Sequence, residues 1–174
     1  MTTIRRAKVE EAAAVTAVIN AAYVVEAYFK VHPERTDQAE IAHRIATEHV
    51  MVAEAGGSIA GAVVVNTTAP EGHFGMLSVA PAHQGRGIAR ELVDTAERLC
   101  REGGCASVAI EVVHLRTELF PFYEKLGYAV YGMAPFPVPE QLSQPVHFLL
   151  MSKSLAATPA QAAQEAARWA PVSH

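Results

Sequence analysis

The chain has 174 residues, enough for one domain with its own core and no need of disulfide or metal staples. Its residues are 51% hydrophobic, and 14 basic against 18 acidic side chains leave a net charge of −4, without the basic excess of a nucleic-acid-binding face. At long range that charge mildly favours a cationic partner, and no run approaches the roughly 18 apolar residues of a membrane helix.

Residues 3–6 predict a short first strand. A helix follows, with Glu10 and Glu11 in its first turn, where acids suit the helix dipole. Ala12, Val15, Ile19, Ala22 and Tyr23 then share one face at helical spacing. The stretch 26–37 around Pro33 reads as irregular and polar, and 38–47 as a second short helix. Two Val-rich runs, 49–55 and 58–66, meet at Gly56-Gly57 and predict a hairpin. A turn at 69–72 leads to a strand over 73–80, which Pro81 stops. A helix is expected from about Gly87 to Glu102, with Ile88, Leu92, Ala96 and Leu99 as its apolar stripe and Gly103 as its stop.

Cys100 and Cys105, the only cysteines, read as two buried thiols in a reducing compartment. Residues 106–113 alternate and β-branch as a strand does. A helix over 118–126 has Thr117 to cap it and Pro121 in its first turn. The last strands are 128–132 and 146–152, separated by the Pro-rich loop 135–145. This order predicts an α/β fold, a single mixed central sheet with helices on its faces, over residues 1–155. The tail 156–174 reads as a weak helix or a disordered segment without chemistry. The N-terminal MTTIRRAKVEE has no apolar h-region, so a cytoplasmic protein is expected.

The most informative segment is Leu77 to Val93: a strand, a proline stop, a glycine-containing loop and an amphipathic helix. Backbone N–H groups in such a loop, with the helix N-terminus behind them, form a receptor for phosphate or pyrophosphate. Gly85 and Gly87 permit the turn and keep Cβ atoms off the anion, and Arg86 and Arg90 can add charged contacts. The segment lacks GxxxxGK[ST]. It also lacks the third small residue of a dinucleotide fingerprint, because Arg90 stands there.

What it matches is [QR]-x-x-G-x-[GA], through Gln84, Gly87 and Ala89. With Phe122-Tyr123 and Gly127-Tyr128 downstream, residues 74–132 resemble motifs A and B of the GNAT (Gcn5-related N-acetyltransferase) superfamily. Residues 115–123 and 146–153 resemble a bacterial subgroup within it. The resemblance implies a sheet splayed between its fourth and fifth strands, with the pantetheine arm of acetyl-CoA in the V against Leu77, Ser78 and Val79. It implies the pyrophosphate on Gln84, Gly85, Arg86, Gly87, Ile88, Ala89 and Arg90, and the thioester near Phe122 and Tyr123. Tyr123 matches the family tyrosine that faces the CoA sulfur, where a phenol can protonate the leaving thiolate. Arg116 stands where the family often has an asparagine on pantetheine, and Leu119 where a small residue is usual.

An amine acceptor must lose a proton before it attacks. Glu111, Glu26, His73 and His114 are the candidate bases, with Glu111 in front, and Glu26 and Arg35 the candidate acceptor contacts. The histidines have no metal-ligand spacing, so no metal is expected. The implied function is acetyl transfer from acetyl-CoA to an amine in a ternary complex; a CoA-binding module without turnover, or transfer of a longer acyl group, is the alternative. Strand edges near the C-terminus and the apolar run 146–151 suggest a homodimer.

Overall fold

The computed structural model describes residues 1–155, so the tail expected at 156–174 lies outside the described residues. Seven strands form one sheet: β1 (Thr2–Arg6), β2 (His49–Ala55), β3 (Ser58–Asn66), β4 (Glu71–Val79), β5 (Ser107–Val113), β6 (Ala129–Pro135) and β7 (His147–Ser154). Their spatial order is β1-β2-β3-β4-β5-β7-β6, and every neighbouring pair is antiparallel except β4 and β5. The helices are α1 (Ala12–Tyr23), α2 (Gln38–Thr47), α3 (Ile88–Glu102) and α4 (Leu119–Lys125).

Period-two alternation sends the strands' side chains into two cores. Val50, Val52, Ala62, Val64 and Met76 pack with Ala12, Val15 and Ile19 of α1 and Ile41 of α2. Met51, Ala53, Val63, Val65 and Phe74 pack on the other face with Ile88, Leu92, Val93 and Ala96 of α3 and Tyr123 of α4. The sheet is therefore the middle of three layers. Cys100 and Cys105 are buried, unbridged thiols, and burial pushes the Cys100 thiol up to about 11.

Gly61 sets how closely α3 approaches the sheet. A Cβ there would sit 2.8 Å from the Ser78 carbonyl oxygen and 3.2 Å from side-chain carbons of both Ile88 and Leu92. Gly61→Val should therefore cost about 1–3 kcal/mol through overpacking. For a domain of this size that lowers Tm by about 2–4 °C per kcal/mol; a thermal melt checks it.

Several expected boundaries shift for identifiable reasons. β4 begins at Glu71, inside the expected turn, because Glu71 and Gly72 pair in parallel with Ser107 and Val108. Glu10 and Glu11 belong to a 3-10 turn that precedes α1. Residues 24–29 are not irregular but extend α1 as a 3-10 helix, burying Glu26 and Phe29. Val9–Phe29 is thus one helical stretch with the length and hydropathy of a membrane span, yet Val15, Ile19 and Phe29 are fully buried in the core. Thr117 caps nothing: Glu118 holds the N-cap position of α4 without a side-chain cap. Tyr128 ends the α4 segment, its N–H bonding the Tyr123 carbonyl, and β6 starts one residue later and runs to Pro135. β7 lies between β5 and β6, so the run 146–151 is not a sheet edge; the edges are β1 and β6.

Candidate active site

β4 and β5 pair only at Glu71–Ser107, Gly72–Val108 and His73–Ala109. Beyond that point the strands part, while β5 stays paired with β7 along its whole length. The parting opens a cleft of about 1020 Å³, lined by Phe74, Leu77, Val79, Gly85, Gly87, Arg90, Glu111, Phe122 and Tyr123 among others. The backbone groups of β4 that face it have lost a strand partner, so a ligand can complete the ladder.

A bulge aims β4 into the cleft. The register with β3 slips from Ala62–Ser78 to Val64–Gly75, so β4 carries an extra residue there. Met76 takes a left-handed conformation at φ 52°, about 1–2 kcal/mol unfavourable for a residue with a Cβ. Its side chain is buried in the α1-side core, 3% exposed, which offsets that cost, and Leu77 and Val79 are left along the cleft. Ser78 faces away: it is buried and its hydroxyl donates to the Met76 carbonyl at 2.9 Å.

At the far end of the cleft, Pro81–His83 form a 3-10 turn, then Gly85 and Gly87 adopt φ of +78° and +81°. Gly87 is the N-cap of α3 and supplies no side chain, so the first N–H groups of a 15-residue helix are uncapped. These donors and the positive end of the dipole suit a pyrophosphate. The glycines' Cβ positions meet nothing within 4 Å among the described residues. The Gln84 side chain supports the loop, donating to the Val79 carbonyl at 3.2 Å. Ile88, Ala89 and Arg90 line the cleft; Arg86 is exposed and is not part of the lining.

Tyr123, 6% exposed, stands at the inner end of the V. Its ring is held by Phe122, Tyr128 and Phe74 at centroid distances of 5.0, 5.8 and 6.3 Å. Tyr128 is itself fixed, because its hydroxyl donates to Glu97 Oε1 at 3.0 Å and Lys153 Nζ donates to the same oxygen at 2.7 Å. The Tyr123 hydroxyl has no hydrogen-bond partner among the described residues. Burial holds its phenol above the usual range, Tyr23 adds to the effect and Arg116 opposes it.

The candidate bases separate. Glu26 is buried in the cleft lining and accepts from Arg116 Nη1 at 2.8 Å while Lys30 Nζ lies 3.2 Å from its other oxygen, so both carboxylate oxygens are engaged in ion pairs. His114 stacks on His147 at 3.9 Å, accepts the His147 N–H at 3.2 Å and is not part of the cleft lining. Glu111 and His73 remain in the cleft, on the adjoining parts of β5 and β4. Burial holds the His73 imidazole below its usual range, and the carboxylates of Glu111 and Glu48 oppose that shift. Arg116 turns to Glu26 and Glu118 rather than along the pantetheine path.

Sequence reasoning did not find Lys30, the Met76 bulge or the Glu97–Tyr128–Lys153 cluster. Lys30 follows Glu26 at helical i, i+4 spacing, which was a usable signal. Glu97 stands beside Val93, Ala96 and Cys100 among the buried positions of α3, and an acid on an apolar stripe needs a partner.

A mixed sheet parted at a parallel pair, with an uncapped glycine loop at one end and a buried tyrosine at the other, defines the acyl-CoA-binding class of fold. The profile described as "Acetyltransferase (GNAT) family" matches residues 17–128, and the chain belongs to that family. A Mus musculus protein with the name "Probable N-acetyltransferase family 8 member 5" is 32% identical over 102 residues, which is 54% of this chain and 45% of the mouse protein. The match therefore spans less than half the length of that curated relative. Among solved structures, yncA from Salmonella typhimurium, determined with its cofactor acetyl-CoA, aligns at a TM-score of 0.73 and 19% identity over 91% of this chain and 96% of that one. Ard1 from Thermoplasma volcanium aligns at 0.74 and 22% over 90% and 99%. The Escherichia coli ribosomal-protein-S18-alanine N-acetyltransferase aligns at 0.73 and 16% over 91% and 96%.

Proposed function

We propose that the protein transfers the acetyl group of acetyl-CoA to an amine by direct attack in a ternary complex. The observation that carries this reading is Tyr123, its ring buried and its hydroxyl without a partner among the described residues, in the lining of the cleft between the parted strands. The chain's family and the acetyl-CoA named with the Salmonella structure support the same reading. The cleft fits that co-substrate: bulged β4 offers main-chain groups to the pantetheine arm, and the uncapped start of α3 offers donors to the pyrophosphate.

The residues divide the proton work. An ammonium acceptor gives one proton to Glu111 or His73, directly or through water, and becomes the nucleophile. As its nitrogen bonds the thioester carbonyl carbon, the carbon–sulfur bond breaks and sulfur leaves as thiolate. Tyr123 donates its hydroxyl proton to that sulfur and recovers one from the nitrogen, which has become an amide. A phenol raised by burial is a weak acid, so its proton moves late, after a hydrogen bond to sulfur has tightened with the growing negative charge.

Isothermal titration with acetyl-CoA, followed by thiol release with an amine panel, tests the reading. Saturable binding with release on at least one amine is expected. Binding with no release on any amine would make the protein a CoA-binding module instead.

A further inference from the structure

The acceptor end of the cleft holds charges of both signs. Glu26, Lys30, Arg35 and Arg116 line it, and Glu118 touches Arg116. Glu34, Asp37 and Glu40 line the same end, so three cations stand among four lining acids, and they differ in which are already paired. Two of the cations are spent. Lys30 and Arg116 share Glu26 at 3.2 and 2.8 Å, and Arg116 Nε also meets Glu118 at 2.6 Å.

Arg35 differs. Its guanidinium lies 5.5 Å from the Tyr23 ring centroid and forms no ion pair with a carboxylate of the described residues. The nearby acids are engaged elsewhere or open to water. Asp37 caps α2 by accepting the Glu40 N–H at 2.8 Å. Glu40 accepts the Thr36 hydroxyl at 2.6 Å and pairs with Arg44 at 3.0 Å. Glu34 is exposed and forms no ion pair with Arg35.

The Arg35 backbone is nonetheless fixed. Asn20 Oδ1 accepts the N–H groups of Arg35 at 2.9 Å and Thr36 at 3.1 Å, and Asn20 Nδ2 donates to the Thr36 carbonyl at 3.0 Å. The segment is thereby tied to α1. Its anchor, Tyr23, also receives Lys30 Nζ at 5.8 Å from the ring centroid and lies close enough to Tyr123 to influence its ionisation. A guanidinium over a ring has further N–H groups to offer a planar anion. Such a cation in a partly desolvated cleft gains most from a carboxylate that arrives with the ligand.

We infer that the acceptor is a small amine that also carries a carboxylate, and that Arg35, seated on Tyr23 and held by Asn20, binds that carboxylate while the amine reaches the centre between β4 and β5. Arg35 then selects the acceptor, while Lys30 and Arg116 neutralise Glu26 so that it does not repel the incoming anion. The inference rests on the acyl-transfer reading above.

Thiol release is measured for the standard α-amino acids, each beside its α-carboxamide and its decarboxylated amine. For the amines that turn over, kcat/KM for the acid should exceed that for the carboxamide by at least tenfold. Arg35→Gln should lower kcat/KM for the acid at least tenfold, mainly through KM, and leave the carboxamide within about threefold, so the preference collapses; a charge-assisted hydrogen bond carries about that much. Arg35→Lys should restore part of it, and Arg35→Glu should turn it toward the carboxamide. Unchanged acetyl-CoA affinity by titration shows that each variant is folded. Turnover without an acid preference, or a preference that survives Arg35→Gln, overturns this inference and leaves acyl transfer standing. No release with any amine removes both.

Discussion

Tyr123→Phe should lower kcat about a hundredfold and leave acetyl-CoA affinity nearly unchanged, within the range of a single general acid. The substitution keeps the ring against Phe122, Tyr128 and Phe74 and removes one oxygen that no described residue bonds. Stability should therefore stay within about 0.5 kcal/mol, as for substitutions that remove none of the usual stabilising features. Steady-state kinetics with a thermal melt separate the two readouts. Burial raises the phenol above its usual range, so it is protonated at neutral pH and well above. A kcat that falls on the alkaline side below the ordinary tyrosine range would thus belong to another group. A donor whose thiol is more acidic should shrink the effect, because that thiolate leaves with less help. Near-normal kcat in the Phe variant would make Tyr123 a packing residue and leave the sulfur to water.

Much of this site was legible because its signals are local. Pro81, the glycines at 85 and 87 and the stripe Ile88, Leu92, Ala96 fix a strand, a loop and a helix within a short stretch of chain. Gly56 and Gly57, at φ of +59° and +80°, make the hairpin as their pairing predicts. The parted strands entered as an implication of family resemblance, and the sheet pairing bears it out.

What was not legible depends on contacts far apart in sequence. Glu26 and Arg116 are 90 residues apart, and nothing in either neighbourhood announces the pair. Period-two alternation cannot tell an interior strand from an edge: β7 lies inside the sheet and β6, earlier in the chain, is the edge. Gly75 stands at the bulge, yet the left-handed residue is the methionine after it, whose side chain is buried in the core.

Gly87→Glu should weaken acetyl-CoA binding at least tenfold, about 1.4 kcal/mol, without unfolding the protein. Two effects combine and can be separated. The first is backbone strain: Gly87 sits at φ +81°, where any residue with a Cβ costs about 1–2 kcal/mol. The second is charge: a carboxylate at the N-cap of α3 competes with the pyrophosphate for the uncapped N–H groups. Gly87→Gln carries the strain and nearly the same shape without the charge. Its affinity should fall between those of the wild type and the Glu variant. The remaining gap should narrow as salt rises, because an exposed charge is screened over about 8 Å at physiological ionic strength. A Cβ at this position meets no atom of the described residues within 4 Å, so either side chain starts into open space. Arg90, beside the loop in the cleft lining, can pair with the introduced carboxylate, so Gly87→Glu with Arg90→Ala should bind more weakly than either single variant. Titration of the five proteins, Arg90→Ala included, at two salt concentrations gives the answer. Equal affinities for wild type, Gln and Glu variants would show that the pyrophosphate does not rest on the start of α3.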